Sequence, residues 1–149
     1  MSDLPATLQQ IADDFAELEG SQRLQLLLEF SNELPALPDR YAEHPELMEP
    51  VPECQSPIFL AVEVDGASGT VHLHFSAPPE APTTRGFAGI LHEGLNGLHA
   101  SDLLAVPDDL PNRLSLSDQV SLLRLRGMAG MLARIKAQVA RQLRAHQGL

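Results

Sequence analysis

Six of the twelve prolines of this chain lie between Pro35 and Pro57, a stretch that we call the proline-rich segment. Proline fixes the backbone angle φ and removes an amide donor, so neither a long helix nor a central strand can run through it. A long segment without periodicity is uncommon inside a small domain and is usually functional or disordered. Because each proline also stiffens the backbone, we predict an ordered loop.

Two amphipathic helices are predicted ahead of the proline-rich segment. Apolar residues recur at spacings of three and four over residues 4–18, which forms one face of a helix, and Asp3 is its expected cap. Gly20 can end this helix, Ser21 can cap the next one, and Pro35 ends that one. The second helix has apolar residues on two stripes and is expected to be well buried: Leu24, Leu26, Leu27, Leu28, Phe30 and Leu34.

An antiparallel hairpin is predicted after the prolines, because apolar residues alternate with other residues over 58–64 and again over 70–75. A helix follows, with Thr83 or Thr84 as its cap, and runs towards Gly97. The glycines of this helix lower its propensity and are expected to allow close packing on the sheet.

The remainder of the chain is predicted to be mainly helical. Residues 101–106 fit either one helical turn capped by Ser101 or a third strand, and both alternatives stay open. Ser115 or Ser117 can start further helix, and the long last helix has one apolar face made of Met128, Met131, Leu132, Ile135, Val139 and Leu143. The predicted fold class is therefore α+β: a small antiparallel sheet packed against several helices, in a single domain of residues 1–149.

The charged side chains are unevenly placed. Residues 1–110 carry nineteen acidic and three basic side chains, whereas residues 111–149 carry one acidic and seven basic. The net charge of −10 opposes phosphate binding, and no aromatic residue lies among the basic ones to stack on bases. A basic C-terminal helix packed on an acidic body is favoured over a nucleic-acid-binding protein.

Targeting signals and multi-cysteine sites are not expected. There is no run of about 18 apolar residues and no basic patch leading into an apolar stretch at the start, so neither a membrane span nor a secretory signal is predicted. The single cysteine, Cys54, rules out an internal disulfide and a zinc site built from several cysteines. A cytoplasmic protein fits best.

Cys54 is the leading candidate for chemistry. A free cysteine is more often a small buried hydrophobe than a reactive thiol, but Cys54 lies in a loop between prolines and not on a core stripe. Gln55 and Ser56 beside it can donate hydrogen bonds to a thiolate, which is the form that attacks sulfur. A Cys54–histidine pair for acyl transfer is conceivable, although the spacing selects no histidine.

Two other groups of side chains carry weaker signals. His72 and His74 share one face of a strand and could bind a metal, but no third ligand is evident and a solvated hairpin face is the commoner arrangement. Four acids form either a solvated charge run or a docking surface for a basic partner: Glu43, Glu46, Glu49 and Glu53. No glycine-rich phosphate loop follows a strand, so a nucleotide site is not predicted.

Four segments, in this order, resemble the SufE family of cysteine desulfurization proteins. They are Asn-Glu-Leu-Pro-Ala-Leu-Pro at 32–38, Val-Pro-Glu-Cys-Gln-Ser at 51–56, Arg85-Gly86, and Arg-Leu-Arg-Gly-Met at 124–128. Three departures from the family pattern stand out. Glu53 replaces the usual glycine before the cysteine, and Glu80 lies where some members have an aspartate. Leu123 and Arg126 stand where serine and asparagine are usual.

This resemblance implies a SufE/IscU-like fold and a sulfur-acceptor protein that is not itself an enzyme. Cys54 would take persulfide sulfur from a pyridoxal-phosphate-dependent cysteine desulfurase, stimulate that enzyme, and pass the sulfur to an iron–sulfur cluster assembly scaffold. The implied supporting residues are Gln55, Ser56, Glu80 and Arg124. Neither a cofactor nor a metal is expected on this chain, since pyridoxal phosphate belongs to the desulfurase. A homodimer stays open.

Two alternatives come from other classes of protein. One is a stand-alone thiol enzyme that reduces peroxide or transfers an acyl group with Cys54 and a histidine, and the other is a structural interaction domain. A carrier needs its cysteine sheltered when no partner is bound, since an exposed thiolate is lost to oxidation. Apolar neighbours and negative charge both raise the pKa of a thiol, and the sequence offers both: Val51, Pro52, Pro57 and Ile58, then Glu49 and Glu53.

Overall fold

A three-stranded antiparallel sheet lies at the centre of the fold, with strand order β1-β2-β3. The structure is a computed structural model and describes residues 4–146; its strands are β1 Glu49–Pro50, β2 Phe59–Val64 and β3 Val71–Ser76. The predicted hairpin is confirmed, with β2 and β3 paired in register from Phe59 opposite Ser76 to Val64 opposite Val71. The third strand, β1, comes from the proline-rich segment and pairs with the start of β2.

Six α-helices accompany the sheet within residues 4–146, which confirms the α+β class. They are α1 Ala6–Glu17, α2 Ser21–Glu33, α3 Asp39–Ala42, α4 Pro82–Leu95, α5 Ala100–Leu104 and α6 Leu122–His146. The open choice at residues 101–106 is resolved in favour of helix, because α5 covers most of them and His99, rather than Ser101, accepts the capping hydrogen bond. The proline-rich segment contains α3, β1 and the short 3₁₀ helix Pro45–Leu47, so it is not a plain loop.

Several predicted helix caps are wrong. Ser21 is the first residue of α2, and the residue before it, Gly20, has a φ of +47°, which favours glycine. Neither Thr83 nor Thr84 caps α4, which begins at Pro82 where its missing N–H is no loss. The last helix starts after Ser121, whose hydroxyl accepts a hydrogen bond from the Arg124 amide, and not at Ser115 or Ser117. The proposed cap Asp3 lies outside the described residues.

The core lies between the inner face of the sheet and the helices α1, α4 and α6. The apolar face predicted for α6 is confirmed, since Met128, Met131 and Ile135 are fully buried. Helix α2 is less buried than predicted, because it packs chiefly on α4 and its second apolar stripe is only partly covered. Leu27 is inaccessible, whereas Leu28 is 38% exposed.

The glycines of α4 allow close contact with other helices and not, as predicted, with the sheet. A Cβ on Gly86 would lie 2.6 Å from the carbonyl oxygen of Leu27 in α2, and a Cβ on Gly94 would meet the side chain of Leu8 in α1. Helix α4 can therefore approach the backbone of α2 closely and leave room for the Leu8 side chain of α1.

Helix α6 is fixed against the free edge of β2 by two glutamines. The Val62 amide donates to Gln138 Oε1 at 3.1 Å, and the Val64 amide donates to Gln142 Oε1 at 2.9 Å. Gln142 Nε2 also donates to the Val62 carbonyl at 2.6 Å. These side chains continue the hydrogen bonding of β2 beyond the two residues of β1, which sets the position of α6 relative to the β1–β2 connection. No helix within residues 4–146 is long and apolar enough to cross a membrane.

Candidate functional site around Cys54

The loop that carries Cys54 joins β1 to β2 and is closed at its base. The Val51 amide donates to the Ile58 carbonyl at 2.9 Å, and the Cys54 amide donates to the Val51 carbonyl at 3.1 Å. Val51 and Ile58 are both buried, so the two ends of the loop are anchored in the core. We call residues 51–58 the Cys54 loop.

The Cys54 side chain rests on α6 and is only 8% exposed. Gly127 of α6 lies directly beneath it, and a Cβ built on Gly127 would be 3.0 Å from Cys54 Sγ and 3.4 Å from its Cα. The shelter predicted for Cys54 is therefore confirmed, and Val51 and Ile58 are buried in the same apolar cluster as predicted. The two prolines, Pro52 and Pro57, are exposed and contribute little, whereas the backbone of α6 at Gly127 provides cover that was not predicted.

Burial dominates the electrostatics of this thiol. Desolvation, with a smaller contribution from the Glu53 carboxylate, raises the pKa of Cys54 to about 11, while the Arg134 guanidinium acts in the opposite direction. The thiol is consequently protonated at neutral pH and is a poor nucleophile in this conformation.

A small cavity of about 50 Å³ adjoins the Cys54 loop. Its lining includes three of the predicted site residues in addition to Cys54, namely Gln55, Ser56 and Arg124. A water needs roughly 10–15 Å³ of such space, so the cavity can hold a few water-sized groups and is small for an amino acid.

The predicted supporting residues occupy different positions around this cavity. Gln55 and Arg124 are exposed and Ser56 is half-buried, and none of the three makes a hydrogen bond to Cys54 Sγ in the described part of the chain. Glu80 is exposed and is not among the residues that line the cavity, so the structure does not bring it to Cys54.

Sequence reasoning missed Arg134, which holds two of the acidic residues near Cys54. Its Nη1 donates to Glu49 Oε2 at 2.7 Å, and its Nε and Nη2 donate to the two carboxylate oxygens of Glu53 at 3.0 and 3.1 Å. The sequence did contain a signal for this contact: Glu49 and Glu53 lie four residues apart just before the cysteine, and the last helix carries the basic residues that could pair with them. Part of the predicted acidic run is therefore paired rather than solvated, as expected for a basic helix packed on an acidic body.

The histidines lie elsewhere. His74 Nε2 is 3.0 Å from Glu63 Oε1, in a cluster that Arg40 and Tyr41 complete on the outer face of the sheet, while His72 is exposed. Within residues 4–146, no group of three or more histidine, cysteine, aspartate or glutamate side chains is placed to hold a metal ion. No histidine from this range lines the cavity at Cys54 either.

Fold and site together define a small α+β protein in which the loop between β1 and β2 packs against the longest helix and buries a single cysteine. The family model described as "SufE: Fe-S metabolism associated domain" matches residues 9–139. The chain belongs to the SufE family, as its sequence motifs indicate.

Known proteins with similar sequence or structure agree. Uncharacterized SufE-like proteins from two strains of Mycobacterium tuberculosis are each 58% identical over 136 residues, covering 91% of this chain and 93% of the relative. An uncharacterized SufE-like protein of Rhizobium meliloti is 29% identical over 143 residues, covering 93% of this chain and 99% of the relative. The solution structure of a hypothetical protein from Thermus thermophilus matches with a TM-score of 0.81 and 38% identity, covering 94% of this chain and 98% of that one.

Replacing Gly127 by alanine is expected to push Cys54 outward. The added methyl group would stand 3.0 Å from Sγ, which is too close for the present thiol position, whereas alanine raises helix propensity by about 1 kcal/mol. We therefore expect faster alkylation of Cys54 by iodoacetamide with little change in melting temperature. The same change in a Cys54→Ala background should be stabilising, since the clash is then relieved. An unchanged alkylation rate would show that the thiol does not depend on this contact.

Proposed function

We propose that this protein accepts sulfur on Cys54 from the persulfide of a pyridoxal-phosphate-dependent cysteine desulfurase, and hands it to an iron–sulfur cluster assembly scaffold. The Cys54 thiolate attacks the terminal sulfur of the partner's persulfide, and a new S–S bond forms at Cys54. The S–S bond on the partner breaks, and its cysteine leaves as a thiolate that takes up a proton. Membership of a family associated with Fe-S metabolism supports this assignment.

One observation carries the proposal: the sole cysteine is buried beside a cavity of about 50 Å³. A free amino acid is large for this space, which supports delivery of the sulfur by another protein that reaches the Cys54 loop. The thiol is protonated and covered in the free protein, so the loop has to move outward when that protein docks. Removing the cover lowers the pKa of the Cys54 thiol towards its ordinary range and increases the thiolate fraction next to the partner's persulfide.

The same site gives little support to a stand-alone thiol enzyme. Such an enzyme needs a base within hydrogen-bonding reach of its nucleophile and a pocket for its substrate. The described residues that line the cavity at Cys54 include no histidine to act as a base, and a cavity of about 50 Å³ leaves little space for an acyl substrate. A raised thiol pKa, to about 11, also suits a protected carrier better than an enzyme that acts on free substrates.

The start of α6 is the surface that we assign to the desulfurase. Leu122 and Leu123 are 64% and 47% exposed, and Arg124 and Arg126 beside them have no ion partner among residues 4–146. Leu123 and Arg124 also line the cavity at Cys54, so a protein bound here would contact the Cys54 loop. We place this encounter in the cytoplasm. Further along α6, Arg134 pairs with Glu49 and Glu53 and Lys136 pairs with Asp108, which argues against a role in binding nucleic acid.

Arg124→Ala is expected to weaken sulfur transfer without weakening the fold. The side chain is exposed and unpaired within the described residues, so its loss should move the melting temperature by only about 1–2 °C. If it contacts the partner, transfer should fall roughly tenfold. Arg144→Ala, at the far end of α6, is the matched control and should leave both quantities unchanged. Equal and small effects of the two variants on transfer would assign Arg124 to the solvated surface.

The proposed function is tested by desulfurase turnover. Purified desulfurase from the same source, supplied with cysteine and a reductant, should release alanine faster when this protein is added. Glu80→Ala tests whether Glu80 belongs to the site. Because Glu80 does not line the cavity at Cys54, we expect this variant to stimulate the desulfurase as wild type does. Absence of any stimulation across a range of protein concentrations would count against the assignment.

A further inference from the structure

The Arg134 bridge, by which we mean Arg134 with Glu49 and Glu53, joins a fixed part of the fold to the Cys54 loop. On the fixed side, Glu49 belongs to β1, and its Oε1 accepts a hydrogen bond from Gln138 Nε2 at 2.8 Å. Gln138 in turn bonds the Val62 amide of β2. Burial raises the pKa of Glu49, but the hydrogen bonds from Gln138 and Arg134 outweigh this effect and lower it, so Glu49 is ionised at neutral pH.

On the other side, Glu53 belongs to the Cys54 loop itself and is the residue immediately before the cysteine. Both of its carboxylate oxygens accept hydrogen bonds from Arg134. The backbone hydrogen bonds of the loop stay within the loop: the Val51 amide donates to the Ile58 carbonyl, and the Cys54 amide donates to the Val51 carbonyl. Among the described residues, the Glu53–Arg134 pair is thus the polar connection between the tip of the loop and α6.

The surface of α6 is shaped to receive both residues of the loop tip. Gly127 lies under Cys54, and Gly130 lies under Glu53, where a Cβ would come within 2.8 Å of Glu53 Cβ and 2.9 Å of its Cγ and Cδ. Two glycines three residues apart on one helix thus create a shallow depression in the surface of α6. The aliphatic part of Glu53 lies in this depression, and its carboxylate accepts hydrogen bonds from Arg134.

We propose that Arg134 is a positioning residue, which holds the Cys54 loop closed on α6 through Glu53 and must release it before Cys54 can receive sulfur. This inference rests on the proposed function for the release step, while the closed state is a property of the free protein. Glu53 is the position at which this chain departs from the glycine usual in related sequences. The bridge acts in addition to the burial of the thiol.

The expected strength of the bridge suits a reversible contact. The side chains of Arg134 and Glu53 are partly exposed, and ion pairs of this kind contribute about 1 kcal/mol or less and weaken as salt screens them. A docking protein that buries even a small surface can supply this much. Opening exposes the thiol to water, and this loss of burial, the largest cause of the raised pKa of Cys54, favours the thiolate and outweighs the loss of the nearby Arg134 guanidinium.

The test is the alkylation rate of Cys54 in the free protein at one fixed pH and low salt. Glu53→Gln and Arg134→Gln should each speed alkylation roughly fivefold. Added sodium chloride should speed the wild-type reaction and leave the reaction of Glu53→Gln unaffected. Arg144→Gln is the matched control and should behave as wild type. The exchanged pair Glu53→Arg with Arg134→Glu should restore a slow, salt-sensitive rate, which a simple loss of packing would not.

Wild-type rates in both single variants, with a wild-type response to salt, would overturn the proposal. Variants that alkylate fast but also lose their cooperative melting would overturn it as well, because the effect would then be general unfolding. The assay uses no partner protein, so its outcome is independent of whether the chain accepts sulfur. Sulfur transfer to Glu53→Gln is measured separately with desulfurase and should reach its half-maximal rate at a lower desulfurase concentration than transfer to wild type.

Discussion

Cys54→Ser is expected to abolish sulfur acceptance completely while leaving the fold in place. Serine differs from cysteine by one atom and has no sulfur that can form a persulfide, so the acceptor is lost and not merely slowed. The Cys54 loop keeps its anchors, because Val51 and Ile58 and the hydrogen bond between their backbones are untouched. A buried hydroxyl costs about 1–3 kcal/mol if it finds no partner, and the adjoining cavity can hold a water for it.

The readouts for this variant are desulfurase stimulation, melting temperature and the circular dichroism spectrum. Cys54→Ala is the companion variant, since it removes the sulfur without adding a polar group, and both should be equally inactive. Stimulation of the desulfurase by either variant at the wild-type level would contradict the carrier assignment. Loss of folding in both would instead assign Cys54 to the core as a packing residue.

Wild-type Cys54 is expected to react very slowly with iodoacetamide at neutral pH. With a pKa raised to about 11, its thiolate fraction at neutral pH is smaller than that of an ordinary thiol, and burial limits access further. We expect a rate slower than that of free cysteine by roughly a hundredfold. Binding a desulfurase held in an unreactive form should bring the rate back towards the ordinary range, because the loop is then open. A fast rate in the free protein would rule out this form of protection.

The same pKa shift predicts how stability depends on pH. The folded state keeps the thiol proton up to about pH 11, whereas in the unfolded chain the proton leaves near pH 9, so the unfolded state is favoured as the pH rises between these values. The contribution of Cys54 to stability is therefore present below about pH 9 and is lost by about pH 11. Cys54→Ala has no such group, so its melting temperature should fall less than that of wild type over this window.

The parts of the fold that depend on local pattern could be predicted from the sequence. The alternation over β2 and β3 gave the hairpin, and the apolar spacing gave α1, α4 and the face of α6. Strand β1 could not be found this way, because it has two residues, one of them Pro50, and exists only through pairing with β2. The caps failed for a related reason: Ser21, Thr83 and Ser115 are good capping residues in isolation, but tertiary packing decided where each helix begins.

The candidate site shows the same division. Cys54 stands out because it is the sole cysteine and lies in a proline-bounded loop, and Arg124 could be proposed from the family pattern. Arg134 could not, since it lies 81 residues from Glu53 and meets it only because two glutamines fix α6 along the edge of β2. Gly127 and Gly130 carry no local signal for their role, because a glycine in a helix marks a close contact without saying with what.

The most direct test of sulfur acceptance is to look for the added sulfur on Cys54 itself. The protein is incubated with desulfurase and cysteine without reductant, trapped with an alkylating reagent, digested and analysed by mass spectrometry, with Cys54→Ser treated in parallel. We predict that the peptide containing Cys54 gains one sulfur atom in the wild-type protein, and only when both desulfurase and cysteine are present. An active desulfurase that carries its own persulfide while the Cys54 peptide stays unmodified would contradict the account.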